Sequence, residues 1–463
     1  MRTRGSLVVA LAVVAVTLLP AGTADAVTTR RLDQAYTIGT TLDVAGGRLD
    51  ATQTIDLTNR ASNAIDHLDL SVIPRALGSF TLESVDVAGG PASAEWTTTT
   101  NLRVSLPSAV APGASVSLVI GFSLVVGRSA DAFTARLSQE NGVLSFGEWF
   151  PIVSREHDVY GIGDPQLSFT ADTIRLELAT TAPQPRDAVA CPGLVTAPEA
   201  AGTEWVCEST DVRDFSFVVN PRFRLTTRTM GEVELRVYTE TVSGAATADL
   251  AGAAFEGMTD AFGPYPWSDL VIAEVGSGGG FSMEYPRAIH LTRGKVTDPY
   301  VINHEVAHQW FYAQVGNDQM REPWLDEAFA DFSARYLMGI GENQCSTRPV
   351  DSQVFAWEAG PISGGDWTSC DGYFHAVFYQ GTEFLNAVRA AMGDEAFFGA
   401  MRDFVADHQF DVVTGRRLLR HLSGRTDADL EPIFARYLAE YRPMAARKVV
   451  RDATQPGSSQ RLR

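Results

Sequence analysis

Residues 297–314 read TDPYVINHEVAHQWFYAQ and residues 323–338 read PWLDEAFADFSARYLM. The first stretch opens with Asp298 as a helix N-cap candidate and Pro299 at the first helical position, both of them start signals. His304 and His308 then lie four residues apart, a little more than one turn, so their imidazoles project side by side from one face. Two neutral nitrogen donors placed this way suit a tetrahedral metal, and Glu305 flanks the same face, within reach of water at an open coordination position. A catalytic metal keeps three protein ligands. Pro323 starts a second helix, and the 18 residues between His308 and Glu327 suffice for a loop and an antiparallel return that brings Glu327 to the metal. Asp331, four residues further along the same face, is placed to accept the free N–H of a ligand histidine. An HExxH pattern alone arises by chance in long chains; the carboxylate behind it and the flank His308-Gln309-Trp310-Phe311 make this one a metal site.

Around this pair the chain reads as α-rich. Helices are expected at 245–262, stopping at Gly263-Pro264, then at 299–313, 323–338, 374–392, 394–408, 414–422 and 428–441, with a short strand at 270–275. Before Thr239 the period is different. Leu49, Ala51, Gln53, Ile55 and Leu57 alternate sides, as do Leu68, Leu70 and Val72, and Val116, Leu118, Ile120, Phe122 and Leu124, with Gly-Gly and Pro-Gly turns between them. The fold class is therefore α+β and multidomain. A β-rich domain is expected over 27–239, a mainly helical catalytic domain over 240–450 and a loose polar tail over 451–463.

The first 26 residues combine early arginines, an apolar run from Leu7 to Leu19 and a small-residue exit at Ala24-Asp25-Ala26, the pattern of a secretory signal peptide. Export with a mature start at Val27 is expected, and the run is too short for a stable membrane span. A net charge of −19 argues against nucleic acid as a partner. The four cysteines form two sequence-local pairs, expected as the disulfides Cys191–Cys207 and Cys345–Cys370.

HEVAHQW, followed after its gap by EAFADF within WLDEAFADF, resembles the M1 family of gluzincin zinc aminopeptidases, the group of aminopeptidase N and leukotriene A4 hydrolase. Phe262-Gly263-Pro264-Tyr265-Pro266-Trp267 resembles the opening of that family's catalytic domain, Met283-Glu284-Tyr285 its substrate-amine motif, and Trp149-Phe150-Pro151 is the best match in the β half. The resemblance implies a thermolysin-like catalytic domain with one zinc ion on His304, His308 and Glu327. It makes Glu305 the general base and later proton donor, and has Met283 and Glu284 receive the free N-terminus of a peptide.

Two departures from the family pattern stand out. Gly278-Gly279-Gly280 precedes Phe281-Ser282-Met283-Glu284, which changes the loop before the amine motif. In Val377-Phe378-Tyr379-Gln380-Gly381, alignment on the glycine puts Phe378 where the family has an oxyanion-holding tyrosine. Tyr379 is the favoured donor, through a one-residue shift, with Tyr373 or no tyrosine as alternatives. The expected activity is that of a secreted, monomeric zinc aminopeptidase. An endopeptidase or narrow processing peptidase is the alternative if Glu284 does not meet the amine, and a non-catalytic peptide-binding protein is the alternative of another class.

Overall fold

The computed structural model describes residues 32–129, 132–153, 168–276, 282–319, 322–341 and 374–438. In the first half, alternating side chains build strands with one wet and one dry face. Strand Leu32–Asp43 pairs antiparallel with Arg48–Asn59, Tyr36 facing Ile55, and parallel with Ala171–Pro185. These are the central strands of an eight-stranded sheet that also holds Ala201–Val212, Ser115–Val125 and Phe80–Val87. Tyr36, Ile38, Leu42, Leu49 and Ile55 are sealed from solvent on its inner face. Two four-stranded sheets close that core, with Trp149 donating to the carbonyl of Phe215 at 3.0 Å while Phe146 and Phe217 stack at 4.4 Å. Cys191 and Cys207 are disulfide-bonded, as expected; Cys345 and Cys370 lie outside the described residues.

The second half is built on a four-stranded sheet ordered Arg224–Met230, Val233–Thr239, Asp269–Val275 and Ala288–Thr292. Thr239, where the sequence changes period, is the last residue of its second strand, so this sheet already begins at Arg224. Val233–Thr239 runs parallel to Asp269–Val275, and helix Gly244–Phe262 makes the crossover between them. That helix stops at Gly263, whose φ of +100° suits a residue without Cβ, and the Gly263 carbonyl takes the indole N–H of Trp310 at 2.9 Å. Further helices run at Pro299–Ala307, Glu327–Met338, Gly381–Met392, Asp394–Asp407, Gly415–Ser423 and Glu431–Tyr437. Two depart furthest from the sequence reading at their ends. The helix from Pro299 stops at Ala307 rather than at residue 313, and Phe374–Gln380 is wound as a π-helical stretch before Gly381.

Buried charge ties the halves together. The Arg213 guanidinium, sealed from water, donates to the carbonyls of Ser168 in the first half and of Ala313 and Asp411 in the second. Asp269 accepts from Arg236, Arg287 and the Gly193 N–H beside the disulfide. Asp214 accepts from the Phe215 N–H at 2.7 Å, and its other oxygen has no hydrogen-bond partner. Burial pushes Asp214 up to about 8, with Glu148 adding to the rise and the Phe215 N–H and Arg136 opposing it.

A carboxyl titrating near 4 when unfolded and near 8 when folded gives stability that is whole below pH ~4 and lost as pH rises through ~8. Asp214→Asn keeps the acceptor for Phe215 and removes that titration. The variant is therefore expected to lose less melting temperature than the parent between pH 5 and pH 9, measured by thermal unfolding. Parallel losses in the two proteins would show that Asp214 does not titrate this way.

Candidate metal centre

The first site helix is set by its cap: the Asp298 side chain accepts from the N–H groups of Tyr300 and Val301, with Pro299 as first helical residue. His308 is the C-cap, so His304 and His308 occupy the last turn. The second helix begins at Glu327 itself, whose N–H is taken by the Asp326 carboxylate at 3.0 Å. Ligand atoms of His304, His308 and Glu327 all fall within 4.8 Å of one another. One Glu327 oxygen stands 3.1 Å from His304 Nε2 and 3.4 Å from His308 Nε2, and the two ring nitrogens are 3.2 Å apart. His308 Nδ1 lies 3.2 Å from the Phe311 carbonyl. Donation there leaves the Nε2 lone pair turned to the triad, the usual arrangement of a metal-binding imidazole.

The donor set fits a divalent ion. Two imidazole Nε2 atoms converge on one carboxylate oxygen, and one cation would satisfy all three at once. Electrostatics points the same way: Glu284, Glu305 and Glu327 are all buried, and among the described residues histidines are the side chains that hold their carboxyls down. Among the described residues, Glu305 and Glu284 each keep one oxygen without a hydrogen-bond partner. Burial, the neighbouring Glu284 and Glu327 push the Glu305 carboxyl well up, against the pull of His308. Burial likewise pushes Glu284 up to about 7; His308 lowers it, and Glu327 and Glu148 raise it.

Met283 and Glu284 reach this place by a short bridge: Met283 and His290 exchange both backbone hydrogen bonds at 2.8 Å. Gln309, next to His308, clamps the same segment to the metal helix. Its amide donates to the carbonyls of Glu284 and Tyr285, and its oxygen accepts the Arg287 N–H at 2.8 Å. The sequence reading missed Gln309, because an amide beside a ligand histidine carries no spacing signal.

Asp331 plays a different part from the one expected. Its carboxylate accepts from the Tyr300 hydroxyl, from Arg335 Nε at 2.8 Å and from Thr382 Oγ1 at 2.7 Å, and no hydrogen bond joins it to a ligand histidine. The His304 Nδ1 has no partner among the described residues. Asp331 acts on His304 at one remove, by holding Tyr300, whose ring lies 6.3 Å from that of His304 at 24°. A second ring, Phe378, lies nearly parallel to His304 at 5.7 Å and 7°. Tyr379 carries the Arg335 guanidinium over its ring at 5.6 Å. Phe378 thus faces the triad and Tyr379 contacts the support around Asp331; Tyr373 is outside the described residues.

Comparison with known proteins agrees with this geometry. Residues 292–437 match the pattern of the Peptidase family M1 domain. Aminopeptidase N of Lactobacillus helveticus is 27% identical over 154 residues, 30% of this chain and 18% of that protein. Aminopeptidase N of Lactobacillus delbrueckii subsp. lactis is 24% identical over 151 residues, with the same coverage. The match thus spans less than a fifth of the length of those relatives. Among solved structures, an M1 zinc metallopeptidase from Deinococcus radiodurans is 19% identical with a TM-score of 0.65, over 86% of this chain and 91% of that one. A mutant form of it, bound to a Tyr-Ser-Ala substrate, gives 18% and 0.67, over 89% and 96%. At these identities the structures show a shared fold. Glu284 lies outside the matched range.

Proposed function

We propose, from the premise that residues 292–437 form a peptidase family M1 domain, that the chain is a zinc-dependent aminopeptidase that removes N-terminal residues from peptides. The observation that carries the reading is the charge at the site. Three buried carboxylates surround two imidazoles, and one of them, Glu284, has an unpartnered oxygen in the field of the triad. A divalent ion between the ligands and one substrate ammonium beside Glu284 would stabilise the charged forms of these carboxylates.

His304, His308 and Glu327 would hold a zinc ion, which would supply Lewis acidity to water and carbonyl oxygen. Glu305 takes the proton of the attacking water and gives it to the departing amine, helped by burial that raises its proton affinity. Glu284 accepts hydrogen bonds from the substrate's α-ammonium, so that cleavage is counted from the N-terminus. Gln309 keeps Glu284 at a fixed distance from His308 through the backbone.

The purified protein is expected to hold one zinc per chain and to cleave aminoacyl chromogenic substrates until a chelator removes the metal. Glu305→Gln should keep the metal and lose about a thousandfold in kcat. Glu284→Gln should keep the metal and raise KM for free-amine substrates about tenfold or more. Equal turnover of N-acetylated peptides would move the reading to an endopeptidase. No turnover of either class would leave a peptide-binding protein.

With its ring engaged by Arg335, Tyr379 is expected to contribute little to the carbonyl oxygen, so Tyr379→Phe should slow kcat less than about tenfold. Phe378→Tyr, which adds a hydroxyl beside His304, is expected to speed it. A hundredfold loss in Tyr379→Phe would return the donor role to Tyr379. Export is supported by the N-terminal pattern, and the mature protein recovered from outside the cell is expected to begin at Val27 by mass spectrometry; an intact leader there would refute it.

A further inference from the structure

Glu284 is held from two sides, and the second hold comes from the β-rich half. Tyr285, the next residue, is fully buried, and neighbouring side chains on an extended segment point to opposite sides. While Glu284 is aimed at the triad, the Tyr285 ring reaches back between His290, at 4.9 Å and 68°, and the backbone of Gly147. Gly147 follows the strand Val143–Phe146 and is itself tied down, its N–H donating to the Arg136 carbonyl at 2.8 Å. Next to it, Glu148 has a left-handed φ of +48° and pairs with the Arg136 guanidinium, both side chains sealed from water. That turn is therefore a rigid block of the first half.

The Gly147 backbone is not left-handed, so an alanine would suit it conformationally. What excludes a side chain is Tyr285. A Cβ on Gly147 would stand 2.7 Å from Cε2 of that ring and closer still to Cζ and the hydroxyl oxygen, and a buried aromatic ring has nowhere to retreat.

We propose that Gly147 is a positioning residue for amine recognition: its bare Cα is the seat for Tyr285, and that seat sets where the Glu284 carboxylate stands relative to the metal. The proposal deepens the aminopeptidase reading and rests on it. The β-rich half then contributes to substrate selection through contact with Tyr285, without touching the substrate at this point.

The test uses the full mature chain with zinc, assayed on aminoacyl chromogenic substrates. Gly147→Ala is expected to raise KM about tenfold with kcat changed less than about threefold and one zinc still bound, a split that general loss of packing would not produce. Tyr285→Leu, which withdraws the wedge, is expected to raise KM as well. Since leucine lacks the ring atoms that the new methyl would strike, the double variant should have a KM close to that of Tyr285→Leu alone, not the product of the two effects. Should Gly147→Ala fail to fold, Tyr285→Leu decides: a KM within twofold of the parent overturns the proposal. Glu284→Gln is the reference. If it raises KM while Gly147→Ala and Tyr285→Leu do not, the seat is refuted and the amine reading stands; if it leaves KM unchanged, both fall.

Discussion

Packing three carboxylates and two imidazoles into one dry pocket is the constraint on which the rest of the structure depends. Carboxylates withdrawn from water repel one another and lose solvation, a cost of several kcal/mol per ion unless a counter-charge is close. Arg136 is committed to Glu148, and Arg335 to Asp331. The two site histidines cannot balance three carboxylates while remaining metal ligands. The folded chain therefore gathers carboxyl groups that favour a cation at this place. Their charge suits a divalent ion on His304, His308 and Glu327.

Holding such a pocket together demands rigidity from outside it, and much of that rigidity comes from buried polar groups at the junction of the halves. Arg213 spends its guanidinium on three backbone carbonyls instead of a carboxylate, and burial lowers its pKa to about 10. One of those carbonyls, that of Ala313, follows Tyr312, a non-glycine residue at φ +119° whose ring lies 5.9 Å from the same guanidinium. A backbone conformation this rare persists only where its surroundings over-determine it. Here Arg213 of the first half joins the Tyr312 and Ala313 N–H bonds to Val315 and His308 in fixing that turn.

Local features of this arrangement were legible in the sequence and long-range ones were not. The spacing of His304 and His308, the cap at Asp298 and the return to Glu327 depend on helix geometry, which a few residues encode. The strand series around Ile55 and Ile120 were legible for the same reason, since alternation is local. Asp331 was assigned a histidine because of its place on the helix face. Arg335, four residues on, follows the helical period, but the other partners of Asp331, Tyr300 and Thr382, come from segments 31 and 51 residues away, and no helical period reports them. Phe378 and Tyr379 show the limit most sharply. Neighbours in a helical stretch point in different directions, and only the packing against His304 and Arg335 decides which ring faces the triad.

The early end of the first site helix has a chemical reason of the same kind. Had it continued to residue 313, the Phe311 carbonyl would point along the axis toward the N–H four residues on. Because regular winding stops at Ala307, Phe311 lies in the turn that follows, and its carbonyl comes back to 3.2 Å from His308 Nδ1. Donation from Nδ1 to that carbonyl leaves the other nitrogen basic, which is what a ligand histidine requires. The same turn brings Gln309 under the Glu284 segment and buries Trp310 against Gly263. Breaking the helix early thus costs a few backbone hydrogen bonds and gains the orientation of a ligand, a clamp on the Glu284 segment and an anchor to the preceding helix.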